Sequence, residues 1–394
     1  MTPSVILNGA RTPIGRLSGA LSSFRASELG TVAIVEALRR AGVSAEAVDY
    51  VILGQVLQAG QGQATARQAA VAAGIPMRVP AMTLNKVCLS GLNAIHLADL
   101  MIRAGEAEIV VAGGMESMTN APFLLPEARA GYRYGEHAVL DVIQADGLTC
   151  AFEHVAMGAA TESYAENAGI SRERMDELAA ASHERAARAE KEGRLGAEIV
   201  PVSVPQRRGE ALLFEHDEGI RPDTDLASLA GLRPAFSAQG TITAGNASQI
   251  SDGAAAVVVC SPAVAERLGV QPLAEIVGYG QVAGPDPSLL LQPANAIRDA
   301  LERSGRSLGE LSLFEMNEAF AAVAIASTDE LGVDPELVNP NGGAIALGHP
   351  IGMSGARVAL TLCMELRRRG GGLGAAALCG GSGQGDAALF SVPA

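Results

Sequence analysis

Four residues stand in settings that ordinary packing does not need: Cys88, Asn317, His349 and Cys379. His349 is the only titratable side chain in residues 339–355, a run that holds five glycines and two prolines. Such a run is neither helix nor strand; it brings backbone close to a ligand and aims one side chain. A lone histidine is more often structural, but a core histidine does not need Gly348 and Pro350 on either side. Cys88 sits in Asn85-Lys-Val-Cys-Leu-Ser-Gly91, where a strand pattern gives way to a helix pattern. A free cysteine is usually a small buried hydrophobe. A helix start, however, stabilises a thiolate by roughly 0.3–1 kcal/mol, up to ~2 when partly buried. That predicts a thiol pKa lowered by about one unit from ~8.5, with a base still needed. His349 is the base the sequence offers.

Cys379 begins Cys379-Gly-Gly-Ser-Gly-Gln-Gly385, a glycine-rich loop at a strand end. No helix and second strand with a downstream acid follow, so the loop is not a dinucleotide fingerprint. Its glycines instead offer backbone N–H groups beside a cysteine. Asn317 follows a strand pattern (311–316) and precedes a helix pattern, where an asparagine often serves only as an N-cap.

The elements around these residues follow from apolar spacing. Strands are predicted over 4–7, 50–53, 81–87 and 109–112, and helices over 28–41, 64–73, 89–104 and 353–369. Strands alternating with helices predict a mostly parallel α/β sheet. At 394 residues the chain is long for one core, and 48% hydrophobic residues supply a large one. A net charge of −14 argues against a nucleic-acid footprint. Five cysteines without a CxxC pair or Cys/His metal spacing indicate neither a disulfide framework nor a zinc site. No basic leader, no peroxisomal-type tail and no bilayer-spanning apolar stretch is expected. A reducing cytosol is the expected compartment.

An internal repeat organises the chain. Ala37-Leu-Arg-Arg-Ala-Gly-Val-Ser44 matches Ala300-Leu-Glu-Arg-Ser-Gly-Arg-Ser307, a shift of 300 − 37 = 263. Ser90-Gly91 matches Ser354-Gly355 (354 − 90 = 264), and Gly113-Gly114 is matched to Gly380-Gly381 (380 − 113 = 267). Asp252 is then read as the counterpart of Asp386. Two α/β halves follow: 1–118 with 251–270, and 271–394. Residues 119–250 differ in character and read as an insertion suited to covering a ligand. Under these shifts Cys88 falls on Gly352, His349 on Asn85, Cys379 on Ala112 and Asn317 on Gly54. No candidate is duplicated, so the halves have specialised, as a site between them requires.

The chain resembles the thiolase family along its whole length. The resemblance rests on Asn85-x-x-Cys88-Leu-Ser-Gly, on Asn339-x-x-Gly-Gly with Gly348-His349-Pro350 and Ser354-Gly355, on Cys379-x-Gly-x-Gly-x-Gly, and on Asn317-Glu-Ala-Phe320. It implies a thiolase-like fold of two duplicated, five-layered α/β halves with an inserted loop domain that holds coenzyme A. It implies that Cys88 takes the acyl group, that His349 activates it, and that Cys379 removes a proton from the second acetyl-CoA. The implied product of two acetyl-CoA is acetoacetyl-CoA plus CoA. Enolate stabilisation is implied for His349 and Asn317, and an oxyanion hole for the backbone N–H groups of Cys88 and Gly381. The implied CoA contacts are Arg221, Ser248, Leu148, Met157 and Phe320. One departure concerns the loop domain, where Ala156-Met157 replaces the His-Met pair of many short-chain relatives. No metal or redox cofactor is implied, no membrane or nucleic-acid partner, and a homotetramer is expected. The alternatives are a degradative 3-ketoacyl-CoA thiolase for longer chains and a non-catalytic acyl-CoA-binding scaffold.

Overall fold

The computed structural model describes residues 3–394; Met1 and Thr2, which precede the first predicted strand, lie outside the described residues. Apolar runs rich in Val, Ile and Ala form one central sheet. Its main strands are β1 (Val5–Arg11), β2 (Tyr50–Gly54), β3 (Ala81–Leu84), β4 (Ile109–Ser117), β5 (Ser251–Cys260), β6 (Ala274–Ala283), β7 (Leu313–Met316), β8 (Gly372–Gly380) and β9 (Gln384–Val392). They lie in the order β7-β8-β9-β6-β1-β5-β4-β2-β3. The sheet is mixed, which corrects the mostly parallel expectation. Only β2–β3, β2–β4 and β7–β8 pair parallel; the other neighbours are antiparallel. The physical reason is connection length. Parallel neighbours need a long crossover, whereas β8 reaches β9 through a tight loop over residues 381–383 and must turn back.

The two halves meet at β1 and β6, where Val5 pairs with Glu275 and Ile6 with Ala274. Helix α1 (Ala26–Ala41) covers the outer face of the first half, and α3 (Gln292–Ser304) that of the second. Between the halves lie α2 (Ser90–Ala104) and α4 (Ser354–Arg368), packed on each other and on both sheet halves. This makes five layers, helix–sheet–helix–sheet–helix. The two middle helices cross at the repeated glycines. A Cβ on Gly91 would come within 2.6 Å of the Ala356 nitrogen, and one on Gly355 within 2.2 Å of the Leu92 nitrogen. Only glycine permits that approach. Residues 87–104 are long and apolar enough by composition to cross a membrane, contrary to the expectation above. They owe that composition to the middle layer, where most of the segment is buried between two sheet halves.

Backbone pairing also corrects the repeat. Asp49 N–H bonds to Ile109 O, and Ser312 N–H bonds to Leu373 O, so the shift at β4 and β8 is 373 − 109 = 264. Gly113-Gly114 therefore stands opposite Ala377-Leu378, not Gly380-Gly381, and Cys379 is the counterpart of Met115. Bulges at Ile6/Asn8 and Ile276/Gly278 put Cys260 level with Ser391. With that shift, 391 − 260 = 131, Asp386 answers to Ala255 rather than Asp252. Short glycine motifs can be slid along a strand by eye; hydrogen-bond register cannot.

The stretch between β4 and β5 lies outside the main sheet apart from one bridge, between Ile199 and Arg11 of β1. It holds two small hairpins and the helices Met157–Asn167 and Arg172–Lys191. Arg11, fully buried at the end of β1, pins it. Its guanidinium meets Glu198 Oε1 at 2.6 Å and both Asp217 oxygens at 2.7 and 2.8 Å. Helix Arg172–Lys191 packs on Ala321–Leu331 and on the short helix Ala344–Leu347, next to the glycine-rich run of His349.

Candidate active site

Cys88 lies just before α2, after Val87, whose φ of 53° lifts the chain into a tight turn. That turn ends β3 at Leu84, three residues short of the predicted 87. Ser90 closes the turn: its hydroxyl accepts from Lys86 N at 2.8 Å and donates to Val87 O at 2.6 Å. Cys88 is buried in a small apolar cluster with Val56, Leu57, Met118, Val142 and Ile351. Burial pushes its thiol up to about 12, against the N–H groups of Cys88 and Gly381, which favour the thiolate. The Glu116 carboxylate adds to the rise. The lowered thiol expected from the helix start is thus overturned, because desolvation outweighs one dipole. A base is required, as expected.

His349 is buried in the run between β7 and α4. Its Nδ1 lies 2.6 Å from Ser354 Oγ, and that hydroxyl donates to Pro350 O at 2.9 Å. With its proton committed, Ser354 Oγ accepts from Nδ1–H. The lone pair is then on Nε2, 3.4 Å from Asn317 Nδ2. Burial, reinforced by the Arg357 charge, holds the ring far below its usual range, at about 3. His349 is therefore a neutral imidazole whose basic nitrogen faces Asn317.

Asn317 is fully buried at the end of β7, and its N–H bonds to Ala377 O on β8, two residues from Cys379. Its side-chain oxygen has no partner within the protein. It is not an N-cap: the next helix starts at Ala321, after Phe320. Cys379 is buried near the end of β8, and burial raises its thiol, with a further push from a charge on Cys88. A Cβ on Gly380 would meet the Leu89 side chain at 2.6 Å and one on Gly381 the Val87 side chain at 3.3 Å, so the loop after Cys379 lies against the Cys88 turn. Cys88, Cys379, His349 and Asn317 thus converge where the halves meet.

The positions expected to contact CoA are more dispersed. Met157 N–H bonds to Leu148 O at 2.8 Å, so these two residues form one piece of wall. Met157 Cε also lies 3.7 Å from where a Cβ on Gly381 would sit, beside the Cys379 loop. Ser248 N–H bonds to Ala319 O, and Ala247 bridges to Phe320. Arg221 is exposed, and its backbone N–H is held by His183 Nδ1 at 3.2 Å. Ala156 caps the helix that begins at Met157. Among the described residues, no group of three or more His, Cys, Asp or Glu side chains is gathered as a metal would need.

Sequence reasoning passed over two carboxylates. Glu318 is buried next to Asn317 and accepts from Ser182 Oγ (2.7 Å), Asn339 Nδ2 (2.8 Å) and Ile345 N (3.2 Å). Asn339 also exchanges two 2.8 Å bonds with the Met316 backbone, so β7 and the His349 run are tied together. Glu116 is buried and accepts from the backbone N–H groups of Val56, Leu57 and Gly352. The only early signal for Glu318 was its place in the Asn317-Glu-Ala-Phe320 motif.

A duplicated five-layered α/β scaffold thus gathers two cysteines, a histidine and an asparagine between its two halves. The chain belongs to the thiolase family. The family described as "Thiolase, N-terminal domain" matches residues 4–263, and "Thiolase, C-terminal domain" matches 270–392. The chain is 59% identical over 390 residues, 99% of each chain, to a "Probable acetyl-CoA acetyltransferase" of Mycobacterium tuberculosis. It is 50% identical over 388 residues, 98% of each chain, to an "Acetyl-CoA acetyltransferase" of Cupriavidus necator. The crystal structure of the Bacillus anthracis acetyl-CoA acetyltransferase superposes with a TM-score of 0.97 at 42% identity, covering 100% of this chain and 99% of that one.

Proposed function

We propose that the protein is an acetyl-CoA C-acetyltransferase, joining two acetyl-CoA into acetoacetyl-CoA and CoA through an acetyl-Cys88 intermediate. The observation that carries this is the Ser354–His349–Asn317 chain, which leaves a neutral, basic Nε2 in a site shared by two buried thiols. The names of the relatives point the same way.

Proton balance orders the steps. His349 Nε2 takes the Cys88 proton as the sulfur attacks the thioester carbon. The N–H groups of Cys88 and Gly381 receive the oxyanion. The leaving CoA sulfur takes its proton from Cys379, which becomes a thiolate facing an imidazolium. Neither charge is then buried alone, which a desolvated site demands. Cys379 next removes a methyl proton from the second acetyl-CoA. The enolate oxygen is held by the imidazolium and by Asn317. Its carbon attacks acetyl-Cys88, the C–S bond breaks, and the Cys88 sulfur recovers its proton from His349. Every group returns to its starting state.

CoA itself is assigned to Arg221, Ser248, Leu148, Met157 and Phe320, with the wall of Leu148, Met157 and Phe320 favouring a short acyl group. One extra methylene is worth only about 1–3 kcal/mol in such a pocket, so six carbons should be disfavoured rather than excluded. A cytosolic homotetramer completes the reading; the apolar side chains exposed in residues 123–140 (Phe123, Leu125, Tyr134, Val139) support assembly.

The test is rapid-quench peptide mass spectrometry after mixing with acetyl-CoA. An acetyl adduct is expected on Cys88, and it should persist in Cys379→Ser while condensation stops. An adduct confined to Cys379, or unaltered turnover in Cys88→Ala, would overturn the assignment.

A further inference from the structure

Glu116 sits at the end of β4, fully buried. Its Oε2 accepts from Val56 N and from Gly352 N, each at 3.0 Å, and its Oε1 from Leu57 N at 3.2 Å. Val56 and Leu57 belong to the segment after β2; Gly352 belongs to the His349 run of the other half. Val56, Leu57 and Ile351, the residue before Gly352, share one buried apolar cluster with Cys88. One carboxylate therefore gathers, from both halves, the backbone that shapes the nucleophile's pocket. Gly352 fits only because it lacks a side chain: a Cβ there would lie 2.7 Å from Gln55 Cα and 3.0 Å from Glu116 Oε2.

We infer that Glu116 is a positioning residue that sets the Cys88 pocket and, by its charge, restrains Cys88 from ionising before substrate arrives. The inference rests on the reading of Cys88 as the nucleophile. Burial pushes the Glu116 carboxyl up to about 7, while its three N–H donors favour the charged form. The other charged group acting on it is Asp252 on β5, whose own oxygens are taken by Thr119 N at 2.9 Å and Thr119 Oγ1 at 2.6 Å. A negative Glu116 opposes a negative Cys88 sulfur, so stray thiolate is suppressed and the thiol waits for His349. The two roles are separable, because the positioning needs oxygen atoms at a set reach and the restraint needs only charge.

The experiment uses the full chain and reads Cys88 alkylation by iodoacetamide between pH 7 and 9, by peptide mass spectrometry, beside steady-state kcat and KM. In Glu116→Gln, Cys88 alkylation is expected to speed up about twofold at pH 7, where about half of Glu116 is charged, and towards roughly tenfold at pH 9, the gain in thiolate from a one-unit fall in thiol pKa. Its kcat should fall with KM for acetyl-CoA little changed. Glu116→Asp keeps the charge but not the reach, so it should alkylate as slowly as the wild type while still losing kcat. Asp252→Asn, a buried carboxylate lost elsewhere, should leave alkylation unmoved. Equal alkylation in wild type and Glu116→Gln, or the same acceleration in Asp252→Asn, would overturn the inference. Alkylation needs no turnover, so failure here is distinct from failure of the Cys88 assignment, which Cys88→Ala activity decides.

Discussion

The turn at residues 85–91 and the run at 349–355 occupy the same place in the two halves, yet one holds the proposed nucleophile and the other the proposed base. The 264-residue shift lays Asn85 on His349, Lys86 on Pro350, Cys88 on Gly352 and Ser90 on Ser354. Both serines use their hydroxyl proton in the same way, on the carbonyl of Val87 and of Pro350. They differ in what they accept. Ser90 accepts the Lys86 N–H at 2.8 Å. Ser354 has no such suitor, because Pro350 carries no N–H. Its lone pair is free for His349 Nδ1 at 2.6 Å. A single proline thus turns a structural hydroxyl into one that sets a tautomer. Duplication supplied the scaffold; small substitutions at matched positions divided the labour.

Breaking the two serines should give unlike results. Ser354→Ala removes the acceptor for Nδ1–H, so the proton is free to move to Nε2, the nitrogen that must be basic. General-base catalysis is worth about 10²–10⁴. A fall in kcat of roughly 10²-fold is expected, with KM little changed and acetylation of Cys88 slowed in rapid-quench experiments. Ser90→Ala removes a turn bond of about 1 kcal/mol. It should lower the melting temperature with a smaller loss of kcat. Equal losses of activity in both variants would sink the division drawn above.

Pro350→Ala sharpens the comparison at lower amplitude. It restores a backbone N–H at the position of Lys86, and that N–H competes for Ser354 Oγ. The expected loss of kcat is smaller than for Ser354→Ala, because the hydroxyl remains. Steady-state kinetics of the two variants side by side checks the ranking; a Pro350→Ala enzyme slower than Ser354→Ala would reject it.

What could be read in the sequence followed the same logic of position. Cys88, Asn317, His349 and Cys379 were legible because each breaks a pattern: a cysteine before a helix, a histidine among glycines, candidates without copies in the repeat. The five-layered fold was implied by the family resemblance and the repeat. What escaped was set by three-dimensional burial. Glu116 and Glu318 look like surface acids until the backbone N–H groups they collect are seen. The helix-start argument for Cys88 had the right sign for the dipole, but desolvation depends on neighbours far away in the chain. The glycine pairs misled the alignment by three residues, because two adjacent glycines recur too easily in a chain that contains 46.

The smallest effect tests one titratable difference between the two segments, the histidine itself. The first half carries Asn85 where the second carries His349, and an asparagine takes up no proton. Folded His349 is held neutral down to about 3, whereas an unfolded histidine takes a proton near 6.5. Between those values the unfolded chain binds the proton and the folded chain does not. Stability must therefore decline as pH falls below about 6.5 and continue to do so towards about 3. The slope from one such residue is at most about 1.4 kcal/mol per pH unit. His96 and His183 are also held low by burial, at about 4, so the wild type carries a compound slope. His349→Asn makes the second segment match the first and removes one contribution only. Urea unfolding at pH 7, 6 and 5 should show the variant losing less stability on acidification than the wild type, whatever its absolute stability at pH 7. Parallel slopes in the two proteins would mean that His349 is already charged in the folded state, and the neutral-base role would fall with it.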